Sequence, residues 1–238
     1  MNTLVFVDML GVKSRWLKLG KQGAESAFKI FNRLVNDSIK QSRVKLLSGF
    51  LEADATALSF SNEQDACYFA RTLYFNAFFA AKSDKDERIW LRGAIVSLND
   101  LNPLRTDTDL DTGIKLYGYS DRLLEAVQVE KSGFKGMRIV IEKSLLTSQV
   151  RSGLKTTISN KEFFPVRKLT YAPLPKSIGE KYEDFVWMAA GDTKQFENAH
   201  VAMSNRLRWC CPETGDEFIH AAATQVVFNE CRSITQYR

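Results

Sequence analysis

Over its first 150 residues the chain switches between strand-like and helix-like hydrophobic periods in a fixed order, and that order leaves few folds open. Thr3 to Met9 (TLVFVDM) is a short apolar run rich in branched and aromatic residues, the pattern of a buried strand; it ends beside an acidic residue, and Gly11 then breaks it. From about Gly23 to Arg43, the residues Ala27, Phe28, Phe31, Leu34, Val35 and Ile39 recur at helical spacing opposite Lys29, Arg33, Asp37 and Lys40. That stripe predicts an amphipathic helix lying on a sheet. KLLSGFLE and DATALSFS follow as two strands separated by almost nothing around Glu52 to Asp54, a hairpin with Asp54 at or near its turn. Asn62 can cap the next helix, ACYFARTLYFNAFFAAK, which is apolar on more than one side. Arg88 to Leu98 reads as a strand and is followed by a polar connector with Pro103 and the run TDTDLDTG. A helix is then predicted over about Ser120 to Lys131, and MRIVIEKSLL is a strand leading into a short helix.

The order is β, α, β, β, α, β, α, β. Two split crossover units of this kind place helices on one face of a mainly antiparallel sheet, so the predicted class is α+β with a ferredoxin-like βαββαβ core. Beyond about Val150 the pattern changes to short strands around KTTISN and FFPVRKLTY, a proline-punctuated loop, the strand DFVWMAA and one or two helices. The expected organisation is a core over residues 1–150 and a C-terminal β/α extension over 151–238 that packs on it.

Composition narrows the chemistry more than the fold. Only His200 and His220 are present, and neither Cys67 nor the group Cys210, Cys211 and Cys231 forms a CxxC pair, so histidine- or thiolate-based metal chemistry has few parts to use. Carboxylates must carry any metal chemistry. The net charge of +5 suits an anionic ligand such as a triphosphate. The basic residues are dispersed along the chain, which disfavours nucleic acid. No apolar run approaches the roughly 20 residues that span a bilayer, and no leader precedes the first strand, so a cytoplasmic protein without a membrane partner is expected. Walker A, GxSxG and HExxH motifs are all missing. TDTDLDTG starts like a calcium loop, but the twelfth position counted from Asp107 is Gly118, so it reads as a solvated loop.

Two aspartates matter because of where they fall. Asp8 closes the first strand, and Asp54 sits at the tip of the hairpin between the second and third. In a split crossover sheet the first and third strands are neighbours, so both carboxylates would converge at one edge. Two close carboxylates repel unless a divalent ion offsets them, and oxygen-only ligation suits magnesium or manganese. The plainer reading is that one aspartate ends a strand and the other favours a turn.

FVDMLGV resembles the FxDxxGF signature of class III nucleotidyl cyclases, and SGFLEADATALSFS resembles their second hairpin. LRGAIVSL is similar to a later core strand of that family, and YGYSDRLLEA with MRIVIEKSL to its catalytic helix and last core strand. The resemblance covers about residues 3 to 146. It implies a cyclase core in which Asp8 and Asp54 are side-chain ligands to two metals per active site, Mn2+ or Mg2+, with the backbone carbonyl of Met9 completing one shell. It also implies that the turn at Leu10 and Gly11 leaves backbone amides for the triphosphate, where Gly11 permits a close approach.

The departures from the family are specific. Where adenylyl or guanylyl cyclases carry a lysine or glutamate four residues before the second aspartate, this chain has Phe50, either a stacking surface for a smaller base or part of the core. The transition-state asparagine and arginine are not matched cleanly; Arg122 is the one strong charge donor in that window, nominated as phosphate stabiliser against the plainer reading of an exposed helix-surface arginine. These departures resemble the pyrimidine cyclases of Pycsar antiphage systems. That likeness implies a homodimer converting UTP, or next CTP, to a cyclic nucleotide as a second messenger, with Phe50 serving the metals of its partner. A dimer would also account for the all-round apolar helix near Ala66 to Ala81. The competing expectation is a non-catalytic, cyclase-like nucleotide-binding module.

Overall fold

The structure, a computed structural model, describes residues 1–80, 89–98, 106–108, 115–117, 121–148, 150, 154–155, 162–163, 166–167, 169–185, 187, 193–209 and 216–235. Most of the TDTDLDTG run, Gly118, most of KTTISN, and Cys210 and Cys211 lie outside the described residues.

The first strand, β1 (Thr3–Leu10), is an interior strand of a seven-stranded sheet. It is followed by α1 (Val12–Ser42), β2 (Leu46–Glu52), β3 (Ala55–Phe60), α2 (Glu63–Ala80) and β4 (Trp90–Ser97). Then come a small hairpin of β5 (Thr106–Thr108) and β6 (Lys115–Tyr117), α3 (Asp121–Glu130) and β7 (Arg138–Glu142). The C-terminal part holds the pair β8 (Leu154–Lys155) and β9 (Glu162–Phe163), then β10 (Val166–Arg167), β11 (Tyr182–Phe185) and the helices α4 (Thr193–Trp209) and α5 (Asp216–Thr235). The large sheet runs β10-β11-β7-β4-β1-β3-β2, antiparallel throughout except for the parallel pair β4 and β7. Its four strands β4-β1-β3-β2 have the neighbour order and directions of a split crossover core.

Strand alternation separates the two faces. Val5, Val7 and Met9 point into a core shared with Phe31 and Val35 of α1 and Phe69, Leu73 and Phe78 of α2. Leu4 and Phe6 point the other way, into a smaller core with Leu123, Ala126 and Val129 of α3. Helices therefore lie on both faces. The two split crossovers put α1 and α2 on one side as expected; the additional parallel connection from β4 to β7 carries α3 across the other.

The helix after β1 differs from its sequence expectation. It starts at Val12, with Gly11 in the left-handed region (φ 83°) as its N-cap, and it is interrupted at Gly20 (φ 65°, ψ −163°), a conformation that only glycine adopts readily. The segment before the break leaves its large apolar residues Trp16, Leu17 and Leu19 largely exposed, so they give no buried stripe for a periodicity reading to detect. Asn62 does cap α2: its Oδ1 accepts from the Asp65 amide at 2.8 Å.

Much of the apolar surface of α2 is covered within the chain. One side faces the sheet and α1, and another faces α4. Arg206 of α4, fully buried, donates to the Phe78 carbonyl at 3.2 Å, to the Ile89 carbonyl at 2.9 Å and to the Ala77 carbonyl, and lies 4.7 Å from the Trp90 ring centroid. It thereby satisfies carbonyls that the end of a buried helix would otherwise leave without donors. Residues beyond 150 also enter the sheet through β11, and Phe185, Trp187, Met203 and Phe228 join the larger core.

Candidate functional site

The neighbouring placement of β1 and β3 brings Asp8 and Asp54 to one edge of the sheet. Asp8 stands opposite Ala55 in the ladder, and the Met9 amide donates to the Asp54 carbonyl at 2.7 Å, fastening the hairpin turn to the end of β1. That turn is tight. Ala53 takes φ 22°, a left-handed value uncommon for a residue with a Cβ, and such strain persists only where surrounding contacts impose it. Two residues beyond Met9, Gly11 turns the chain into the first segment of α1 with no side-chain cap and no acidic residue in the first turn, so the first amides of that segment follow directly on the end of β1.

Asp8 lies on the α3 face of the sheet, and its environment is short of positive charge. Burial pushes its carboxyl up to about 7, and the charges of Glu130 and Asp54 push the same way, against Arg92 and Lys131. Direct opposition in the β1–β4 ladder places Arg92 across from Asp8. The Arg92 guanidinium, however, is held by Glu130 through both Nε and Nη2, and its Nη1 donates to the Phe134 carbonyl at 2.9 Å. Glu130 is buried at the last position of α3, on the stripe that runs through Leu123 and Ala126. Neither Arg92 nor Glu130 was singled out from the sequence. The available signal was a carboxylate one turn beyond Ala126 on the buried face of a helix, where such a group needs a partner.

The other nominated residues fall in two places. The Met9 side chain is buried in the larger core, leaving its backbone as the relevant group. Phe50 is half-buried on β2 opposite Ala57, packed against the smaller core on the face that carries Asp8. Arg122 is not brought to Asp8. Its Nε donates to the Ser97 carbonyl and its Nη2 to Ser97 Oγ, both at 2.8 Å, and it pairs with Glu125 and Glu142. Ser97 lies opposite Thr3, five residues along β1 from Asp8, or roughly 17 Å of strand. Arg122 is thus not an exposed helix-surface arginine; its donors go to two carboxylates, the Ser97 carbonyl and the Ser97 hydroxyl, tying α3 to β4 and β7.

The donors nominated at the Asp8 edge, two carboxylates and the Met9 carbonyl, are all oxygen. That set fits a hard divalent cation, and the excess of carboxylates over nearby cations is what such an ion would offset. Among the described residues, no group of three His, Cys, Asp or Glu side chains is arranged to hold a metal, so the protein side chains alone would not complete a shell.

Neither a protein-family model nor a curated protein sequence matches the chain. Solved structures do. The guanylyl cyclase domain of the RhoGC fusion protein from the aquatic fungus Blastocladiella emersonii, as a monomeric double mutant, superposes with a TM-score of 0.51 at 15% identity over 78% of this chain and 93% of that domain. The guanylyl cyclase Cya2 gives a TM-score of 0.50 at 14% identity over 81% of this chain and 93% of its own. The chain has the fold of class III cyclase domains. No helix among the described residues is long and apolar enough to cross a membrane.

Proposed function

We propose that the chain is a nucleotidyl cyclase that converts a pyrimidine nucleoside triphosphate, UTP first and CTP next, to the 3′,5′-cyclic monophosphate and pyrophosphate. The observation that carries this reading is the meeting of Asp8 and Asp54 across β1 and β3 beside the open start of α1, on a fold shared with guanylyl cyclase domains. In the reaction the ribose 3′ oxygen attacks the α-phosphorus in line and pyrophosphate leaves. Positioning and charge neutralisation account for most of the catalysis.

Each residue has a part that its position supports. Asp8 and Asp54 would hold two Mn2+ or Mg2+ ions, with the Met9 carbonyl as a further donor; when bound, the ions supply charge to the phosphate and to the attacking oxygen. The α1 amides behind Gly11 orient the triphosphate. Phe50 offers a flat apolar surface where purine cyclases carry a charged reader, which favours a smaller base and excludes water from it. In a homodimer Phe50 would serve the site of the partner. A cyclic pyrimidine nucleotide made this way suits a second messenger in antiphage defence, the role that the family resemblance implies.

The commitment of Arg122 to Ser97, Glu125 and Glu142 favours a second reading, a nucleotide-binding module with the cyclase fold and no turnover. One experiment separates the two. The purified protein is incubated with each of the four ribonucleoside triphosphates and Mn2+, and products are resolved by mass spectrometry. Cyclic UMP or cyclic CMP with equimolar pyrophosphate is the expected result. Binding without product would support the module, and a cyclic purine product would overturn the substrate assignment.

A further inference from the structure

Glu130 is placed against its own helix. It is the last residue of α3, where the backbone dipole presents negative charge, and the last turn carries no basic residue. It is also buried, with 2% of its side chain exposed. A carboxylate there loses hydration and meets an unfavourable field, and what holds it is the Arg92 guanidinium, itself only 12% exposed. That arrangement is a poor way to stabilise a fold, since a buried ion pair seldom outperforms apolar residues of the same volume.

Its position gives it another use. Arg92 is the direct cross-strand neighbour of Asp8, on the same face, at a separation where opposite charges on adjacent strands pair readily. Without Glu130, the guanidinium would be left to face the Asp8 carboxylate across the ladder. With Glu130, two of its nitrogens are turned to the end of α3, a third is fixed on the Phe134 carbonyl, and its Cζ lies 5.5 Å from the Phe134 ring centroid.

We propose that Glu130 is a positioning residue that holds Arg92 away from Asp8 and so keeps the Asp8 carboxylate open to a divalent cation. The inference rests on the reading of Asp8 and Asp54 as cation ligands. Arg92 remains close enough to limit repulsion among the three carboxylates, yet it does not close the site with a permanent ion pair.

The test is direct binding of Mn2+ to the full chain without nucleotide, read by the loss of the free-ion electron paramagnetic resonance signal, with thermal melts confirming that each variant is folded. Wild type should bind and Asp8→Asn should not. Glu130→Gln should weaken binding about tenfold, because the released guanidinium pairs with Asp8. The double variant Arg92→Gln with Glu130→Gln removes the competing cation and should recover at least the wild-type affinity. A pair with a purely structural role would leave the double variant no better than Glu130→Gln. Wild-type affinity in Glu130→Gln, or no recovery in the double variant, overturns the positioning role while the cation site stands. Absence of Mn2+ binding by wild type overturns the cation site and this inference together.

Discussion

At one end of the central sheet Arg122, Lys181 and Tyr182 surround Glu125 and Glu142; at the other, Asp8, Asp54 and Glu130 face Arg92 and Lys131. The two clusters draw on the same elements, since α3, β1 and β4 run from one to the other. Their carboxyls nevertheless behave oppositely. Burial pushes against ionisation of Glu125 and Glu142, but hydrogen bonds from Lys181 and Tyr182 to the first, and from Ser97 to the second, hold both below the usual carboxylate range. Asp8 is driven up, to about 7. A cluster that answers every charge ties α3 to β7 and to the C-terminal segment. A cluster left with surplus negative charge is poised for something the chain itself does not supply.

The sharpest way to break this contrast is to remove a carboxylate from each end and compare activity with stability. Asp54→Ala should lower cyclase turnover by at least about a thousandfold while leaving the melting temperature close to wild type, because Asp54 lies in a turn and not in the core. Product formation from UTP with Mn2+ is the measurement. Normal turnover in this variant would refute the metal assignment outright.

Arg122→Gln should do the reverse. It takes the guanidinium from Glu142, which keeps Ser97 and the more distant Lys181, and the expected cost is about 2 kcal/mol in a urea unfolding titration. If Arg122 instead touched the reacting phosphate, the variant would retain its stability and lose turnover.

The contrast also shows which parts of the molecule are legible without coordinates. The strand order and the hairpin at Asp54 follow from hydrophobic period, and the neighbouring of β1 and β3 follows from that order, so the convergence of Asp8 and Asp54 was accessible. The start of α1 was not, because its apolar residues Trp16, Leu17 and Leu19 are exposed and the break at Gly20 is a matter of backbone angle. The resemblance nominates Arg122 as phosphate stabiliser, whereas its partner Glu142 lies twenty residues away and on another element. Glu130 and Arg92 were hidden for the same reason. Pairing between a helix end and a strand is set by how α3 crosses the sheet, which no local period encodes. The apolar surround of α2 was visible, but its cover by Arg206 and α4, more than 100 residues downstream, was not.

Acid and base sharpen the comparison further. The folded protein holds a proton on Asp8 that an unfolded chain releases near 3.8, so this group subtracts stability as pH rises from about 4 through 7. Asp8→Asn should therefore unfold at the same urea concentration as wild type at pH 4, and be more stable by about 1–2 kcal/mol at pH 8 in the absence of divalent ions. Glu142→Gln should show the opposite trend. The depressed carboxyl adds stability above its unfolded range and loses it as pH falls, so that variant is weaker than wild type at pH 7 and converges with it in acid. A matching pH dependence for the two variants would erase the distinction between the ends.

The smallest effect is expected at Phe50, which borders the Asp8 end without carrying charge. Two roles predict different signatures there. If the ring only fills space over Ala57 and the smaller core, Phe50→Leu costs about 1 kcal/mol in unfolding and leaves nucleotide kinetics alone. If the ring stacks on the base, Phe50→Leu raises KM for UTP by about three- to tenfold with kcat little changed, since stacking is made equally in the ground and transition states. The second pattern is expected, because a side chain left half-exposed on the face that carries Asp8 has apolar surface still to cover, and a planar base covers it better than water does.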